Sequence, residues 1–440
     1  MRRRPLTTLA ASPHDREILR LAVPALGALA AEPLYVLVDT AIVGHLGTTQ
    51  LASLAVAATV LGTGFTIFNF LTWGTTAQVA RLHGAGLEGE AARVGAQAQW
   101  LSLVIGAVLL VVLFALASPL AALMGAQGEV ADGATTYLRI SALGAPAFML
   151  ASAGQGFLRG IGELRTPLVI LVAAHSANVV LELVFVYGFG WGLAGSAWGT
   201  VIAQLGMGTA FVAVQLRAGW ERPVAARMRS LMRIGSEIAG RSTALLAAYL
   251  VASAVLARIG AASLAAHQIA FQLFIFLALV LDALAIAAQI MVGRMLGAGD
   301  AAGARAVGGR MIAWSVALGG VFGVVLLALG DVIPRAFTSD PVVIARAHEI
   351  WWLFAALMPV NGAVFALDGI LIGAGDTRFL MWGTLAAAAV YVPVALLALH
   401  EGWGIAGVWW GLAGLIAMRL ATCGLRFSSA RWALTGATAG

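Results

Sequence analysis

Apolar residues run along this chain in long blocks, separated by short polar or glycine-rich breaks. The blocks fall at about 21–43, 51–73, 95–117, 136–158, 167–189 and 194–216, then, after a polar stretch, at about 234–257, 263–289, 307–329, 347–371, 379–399 and 404–425. A bilayer's hydrocarbon core, roughly 30 Å thick, needs about 20 apolar residues per helix. Every block meets that length. All are too long for strands, and they lack the short alternating pattern of a membrane barrel. The pattern predicts an all-α polytopic membrane protein with twelve transmembrane helices.

The chain also repeats itself. Adding 213 carries Arg81-Leu-His-Gly84-Ala-Gly86 onto Arg294-Met-Leu-Gly297-Ala-Gly299, Gly47 onto Gly260, Pro146 onto Pro359, and Gly160-Ile-Gly162 onto Gly373-Ala-Gly375. Near each half's end the offset is 212, where Trp191-Gly192 and Trp198-Gly199 match Trp403-Gly404 and Trp410-Gly411. Six helices per repeat is an even number, so both halves cross in the same direction. Two six-helix lobes related by a pseudo-two-fold axis along the membrane normal are expected, with a cleft between them suited to alternating access. The divisions are an N-terminal tail over 1–20, a lobe over 21–216, a linker over 217–233, a second lobe over 234–425, and a C-terminal tail over 426–440.

Composition and charge fix the setting. Of 440 residues, 61% are hydrophobic and only 10% charged, far below the quarter or so that covers a soluble domain. All 26 basic residues are arginine. With the N-terminus inside, 20 arginines fall in the inner tails and loops (Arg81, Arg159 and Arg294 among them), three fall outside, and Arg139, Arg241 and Arg419 lie within spans. This positive-inside bias places both termini in the cytoplasm. It accounts for the pI of about 10.4 without nucleic acid. The N-terminus has no short apolar core with a cleavage site and is read as a retained tail. The one cysteine, Cys423, excludes an intrachain disulfide. The basic linker is read as a solvated tether. No His/Cys cluster suggests a bound transition metal, and neither Gly84 nor Gly297 is followed by the Lys-Ser/Thr pair of a P-loop. A transporter driven by an ion gradient, with no cofactor and no enzymatic activity, is expected.

Ionisable groups at the bilayer centre cost at least about 2.5–3.5 kcal/mol each and need a reason. Span 1 carries Glu32 and Asp39 on one face, and span 5 carries Asn178 and Glu182, four residues apart. Asp282 repeats Asn69 and Asp368 repeats Gln155, so those positions are polar in both halves. Asp39 instead maps onto Ala252, and Glu182 onto the apolar stretch around Val394. Asp39, Asn178 and Glu182 are therefore special to the first half, at matched depth near the outer side, and are the candidates for ion coupling. Glu32, Tyr35, Asn69, Gln155, Asp282 and Asp368 are candidates for lining the cleft. Pro24 and Pro33 each remove a backbone donor from span 1 and are expected to kink it, as part of a moving element or as a static bend. Arg241 is expected to pair with Asp282, Asp368 or Glu237 as a structural ion pair. His175 and His267 are read as buried hydrogen-bonding residues.

The segments Glu32-Pro33-Leu-Tyr-Val-Leu-Val-Asp39-Thr-Ala-Ile-Val-Gly44-His45-Leu-Gly47, Leu264-Ala-Ala-His267-Gln268, Leu281-Asp282-Ala-Leu-Ala and Leu367-Asp368-Gly-Ile-Leu-Ile-Gly-Ala-Gly-Asp376 resemble the multidrug and toxic compound extrusion (MATE) family, within it the DinF-type branch. The resemblance covers essentially the whole chain. It implies an antiporter of the bacterial cytoplasmic membrane, working as a monomer, that exports organic cations or amphipathic drugs in exchange for protons. It also implies that Asp39 is the proton-linked acid and that Asn178 and Glu182 are its partners, with sodium at the same three residues as the alternative ion. Two other readings stay open. A lipid-linked oligosaccharide flippase shares the helix count but usually carries several cationic residues in its cleft, where this chain offers chiefly Arg241. Export of an organic anion such as citrate is the other.

Overall fold

A computed structural model describes residues 13–437; Arg2, Arg3 and Arg4 of the N-terminal tail lie outside the described residues. The first half contains α1 (Asp15–Gly44), α2 (Thr48–Phe68), α3 (Phe70–Gly84), α4 (Glu88–Leu123), α5 (Gly128–Ala142), α6 (Ala145–Gly160), α7 (Arg165–Leu183) and α8 (Gly192–Ala218). The second contains α9 (Ala225–Ile259), α10 (Ala261–Gly297), α11 (Ala301–Ala328), the short α12 (Val332–Phe337), α13 (Pro341–Gly373), α14 (Thr377–His400) and α15 (Gly404–Ser428). A π-helical turn, Val184–Gly188, closes α7.

Eleven stretches among the described residues are long and apolar enough to cross a bilayer. The fourth expected span is the twelfth. It is divided at Leu143-Gly144 into α5 and α6, each too short to cross alone. Its repeat partner α13 runs unbroken through Pro359. The second span is also divided, at Asn69. By contrast α1 stays helical through both Pro24 and Pro33. The linker is shorter than the sequence pattern suggests: helix resumes at Ala225, leaving 219–224 between the lobes. Gln97 pins this segment to α4, donating to the Arg222 carbonyl at 2.8 Å and accepting from the Val224 amide at 2.7 Å.

The repeat is built into backbone contacts. Helices that approach this closely need a residue without a Cβ. A Cβ on Gly156 would lie 2.8 Å from the Thr72 carbonyl oxygen, and one on Gly369 would lie 2.2 Å from that of Ala285. Those are the same contact, 213 residues apart. The pair Gly84 and Gly297 does this between lobes. A Cβ on Gly84 would lie 1.9 Å from the Arg294 oxygen, and one on Gly297 2.0 Å from the Arg81 oxygen. Equivalent residues thus meet each other across the pseudo-two-fold axis, where α3 crosses α10.

A polar clasp surrounds that crossing. Glu17 of α1 accepts from Arg294 at 2.6 Å, and Asp15 accepts from Arg310 and from Trp314 Nε1. Arg81 donates to the carbonyls of Ala374 (3.0 Å) and Leu434 (2.6 Å), and the Gly436 amide donates to Leu296 at 3.0 Å. The segment after α15 therefore folds back over the joint, with Trp432 only 1% exposed in a core that draws on both lobes. Both described ends of the chain lie at this arginine-rich face. Arg81 and Arg294, which the charge pattern assigns to loops, are the helical ends that join the lobes, and Arg159 sits inside on α6, buried.

Substitution at this crossing is therefore costly. Gly84→Ala and Gly297→Ala each force backbone apart and should destabilise the closed end by about 1–3 kcal/mol. Gly309→Ala, where a Cβ meets nothing within 4 Å, should be neutral or slightly stabilising. Thermal unfolding in detergent, with spin-label distances between the adjoining ends of α3 and α10, checks this. Equal midpoints and distances in all three variants would refute it.

Candidate functional site

Asp39 lies on α1, 22 residues beyond Glu17 of the clasp, or about 33 Å along the helix. It is 6% exposed. Ser196 of α8 donates to its Oδ1 at 2.7 Å, and the carboxyl of Glu182 of α7 lies beside it, each within the other's field. Glu182 is fully buried. Its Oε1 accepts from the Tyr35 hydroxyl at 3.3 Å, and it also contacts Asn178. Thr200 ties the group together, 2.8 Å from the Tyr35 hydroxyl and accepting from Asn178 Nδ2 at 3.4 Å. Tyr137 of α5, buried against Val43 of α1 and Ala197 of α8, completes the enclosure. Four helices of the first lobe thus converge on one pocket, and the sequence candidates Asp39, Asn178, Glu182 and Tyr35 all meet there.

Two buried carboxyl groups side by side repel each other strongly when both are ionised. A proton or a cation bound there relieves that repulsion. Glu182 Oε2 and Asn178 Oδ1 remain buried without a partner. These atoms are acceptors, and a further proton or a small cation would satisfy them. Tyr35 closes the pocket on another side, half-buried and stacked on His175 at 4.9 Å between ring centroids.

Tyr137, Ser196 and Thr200 were not singled out by the sequence pattern, yet the signal existed. Under the repeat offsets they map onto Ile350, Val408 and Leu412, and with Ala252 (the match of Asp39) these belong to one buried apolar cluster of the second lobe. The pocket of the first lobe is solid hydrocarbon in the second.

The second lobe places its charges elsewhere. Asp368 Oδ2 accepts from Arg241 Nη1 and from Arg419 Nη2, each at 2.6 Å. Of the three acids considered for Arg241, Asp368 is its ion-pair partner; Glu237 instead takes Thr377 and Arg233. Arg419 completes an Arg–Asp–Arg cluster that the sequence pattern leaves unassembled. With a carboxylate held by two guanidinium groups and 7% exposed, Asp368 stands within the lobe rather than free in a cleft. Gln155, its repeat partner, likewise accepts from an arginine, Arg159, at 3.1 Å. Asp282 is half-exposed on α10, within the fields of Arg241 and Arg159, while Glu32 and Asn69 are exposed. The expected hydrogen bonds of His267 are not made: both ring nitrogens are buried without a partner, and the ring stacks on Phe271. Among the described residues no group of His, Cys, Asp and Glu is arranged to hold a metal ion.

Known proteins share this plan. The chain is 29% identical over 426 residues to Protein DETOXIFICATION 44, chloroplastic, of Arabidopsis thaliana, covering 92% of this chain and 80% of that one. It is 32% identical over 448 residues to the probable multidrug resistance protein NorM of Bradyrhizobium diazoefficiens, covering 92% of each. The fold matches a crystal structure of MATE in the bent conformation with a TM-score of 0.87 at 20% identity, over 96% of this chain and 95% of that one. The MatE family model matches residues 24–184 and 238–397, one block in each lobe. With most of the chain matched in both repeats, this protein belongs to the MatE family of multidrug and toxic compound efflux transporters.

Proposed function

We propose that this chain is a secondary active antiporter that exports organic cations or amphipathic drugs in exchange for protons by alternating access. In this reading it is a monomer in a bacterial cytoplasmic membrane, with both termini inside. The observation that carries the reading is the Asp39–Glu182 pair, enclosed with Tyr35, Asn178, Ser196 and Thr200 in one lobe only. A proton taken up by this pair removes a full negative charge from the first lobe.

That charge matters to a cationic substrate in the cleft. At about 8 Å and an effective dielectric constant of about 20, its loss weakens a monocation's binding by about 2 kcal/mol, roughly thirtyfold. Protonation from the outer side therefore releases substrate outward. It also removes the charge that Ser196 solvates, and so loosens α1 from α8. Helix α1 lacks the backbone donors of Pro24 and Pro33, so it is the element best suited to shift. Return of the pair to the inner side frees the proton and restores the cation site. Sodium at Asp39, Asn178 and Glu182 is the alternative ion, and the unpartnered oxygens of Asn178 and Glu182 suit it chemically.

A second reading, export of an organic anion, is favoured by a specific observation. Three arginines, the buried Arg159 and Arg419 and the half-buried Arg241, stand near two acids, Asp282 and Asp368. Efflux from proteoliposomes of a fluorescent cation, and separately of citrate, with proton and sodium gradients imposed one at a time, separates these readings. Proton-driven export of the cation supports the first.

Asp39→Asn should reduce gradient-driven cation efflux more than about tenfold while changing stability by about 1 kcal/mol or less, because Asn can still accept from Ser196. Retention of full gradient-driven efflux would sink the proposal. Asp368→Asn should behave in the opposite way. It leaves the buried Arg419 and the half-buried Arg241 without their counter-charge and should cost about 3–5 kcal/mol of stability, measured as a lowered unfolding midpoint. An unchanged midpoint would remove the structural role assigned to Asp368.

A further inference from the structure

A cavity of about 410 Å³ opens in the first lobe at the face opposite the clasp. Its walls come from the α1–α2 turn and the first turn of α2 (Thr49, Gln50), the first two turns of α5 (Glu129, Asp132, Thr136) and the start of α8 (Leu193). No residue of the second lobe lines it, so it is distinct from any space between the lobes. Its volume admits several water molecules, each of which takes about 30 Å³ in the liquid, and hydroxyl, amide and carboxylate groups are present to bind them.

The position of its floor gives it meaning. Thr136 lines the cavity, and the next residue, Tyr137, is buried against Val43 of α1 and Ala197 of α8. Leu193 and Ala194 line the cavity, and Ser196, within one helical turn, donates to Asp39. Two to three residues of α8, about 3–5 Å of helical rise, thus separate the cavity lining from the serine that holds Asp39. Beside them Val43, Leu54, Leu138 and Ala197 pack with Tyr137 as an apolar seal. The Ser196 hydroxyl is the polar step through that seal. The pair is also asymmetric: Asp39 faces Ser196 on this side, whereas Glu182 takes the Tyr35 hydroxyl.

We infer that this cavity is the proton-access vestibule of the first lobe, and that protons reach Asp39 from it by a route separate from the substrate's. A proton delivered by vestibule water to the Ser196 hydroxyl oxygen is balanced by transfer of the hydroxyl's own proton to Asp39 Oδ1, which leaves the serine unchanged. Substrate and proton then need not displace each other through one opening. The exposed Glu129 and Asp132 at the rim give the opening a negative field that raises local proton concentration. This inference rests on the proton-coupled reading above.

The test uses the full chain in proteoliposomes. Cys423, the one native cysteine, is buried, so wild type serves as the control for a membrane-impermeant thiol reagent. Gln50→Cys, on the wall away from Tyr137 and Ser196, places a reactive thiol in the vestibule. Labelling this variant with a bulky charged methanethiosulfonate should slow proton-driven efflux of ethidium about tenfold, while its equilibrium dissociation constant for ethidium changes less than about twofold. Glu129→Gln combined with Asp132→Asn should move the outside pH for half-maximal drive to a more acidic value with the same binding constant. Two results overturn the vestibule alone: full proton drive in the labelled variant, or weakened ethidium binding in parallel with lost drive. If unlabelled wild type shows no response to a proton gradient, the coupling reading fails, and the vestibule fails with it.

Discussion

A carboxyl group held in the apolar interior needs either a cation or a proton, and the two lobes meet this need in different ways. In the second lobe Asp368 is held by Arg241 and Arg419, so its charge is compensated by fixed groups. In the first lobe Asp39 and Glu182 have each other, with hydroxyls and an amide around them. Fixed guanidinium groups cannot leave, whereas a proton can. The first arrangement fixes its charge; on the proposed reading, the second makes a group whose charge depends on which side supplies the proton.

The scaffold that carries these groups is held by close approach rather than by charge. Paired glycines let α3 meet α6 and α10 meet α13 at backbone distance, and the same device joins the lobes at Gly84 and Gly297. Ion pairs to Asp15 and Glu17 and the buried Trp432 then cover the joint. Since the joint and the carboxyl pair sit about 33 Å apart along α1, that helix is the physical connection between them. It alone carries both Glu17 of the clasp and Asp39 of the pocket.

Much of this could be read from the chain. Block length and arginine placement identify the helices and the face they share, and the 213-residue offset identifies the residues that meet on the axis. Comparing the halves also isolates Asp39 and Glu182. What stayed hidden had a physical cause in each case. Tyr137, Ser196 and Thr200 look ordinary in a helix, and only their apolar matches Ile350, Val408 and Leu412 set them apart. Arg419 has no local partner; Asp368 reaches it through packing of α13 on α15. Arg159 follows a span by composition, yet α6 continues through it and buries it. The division at Leu143-Gly144 left no break in the pattern, because the residues on either side of it, from Ile140 to Leu150, carry no charge.

The central claim is that substrate charge and proton charge trade places at the carboxyl pair of the first lobe. Proton release on substrate binding tests it most directly, in weakly buffered detergent solution with ethidium as the ligand and a pH dye as the reporter. The account predicts that wild type releases protons on binding and that Glu182→Gln, which still binds, releases fewer. Binding without release in wild type, or undiminished release in Glu182→Gln, would contradict it.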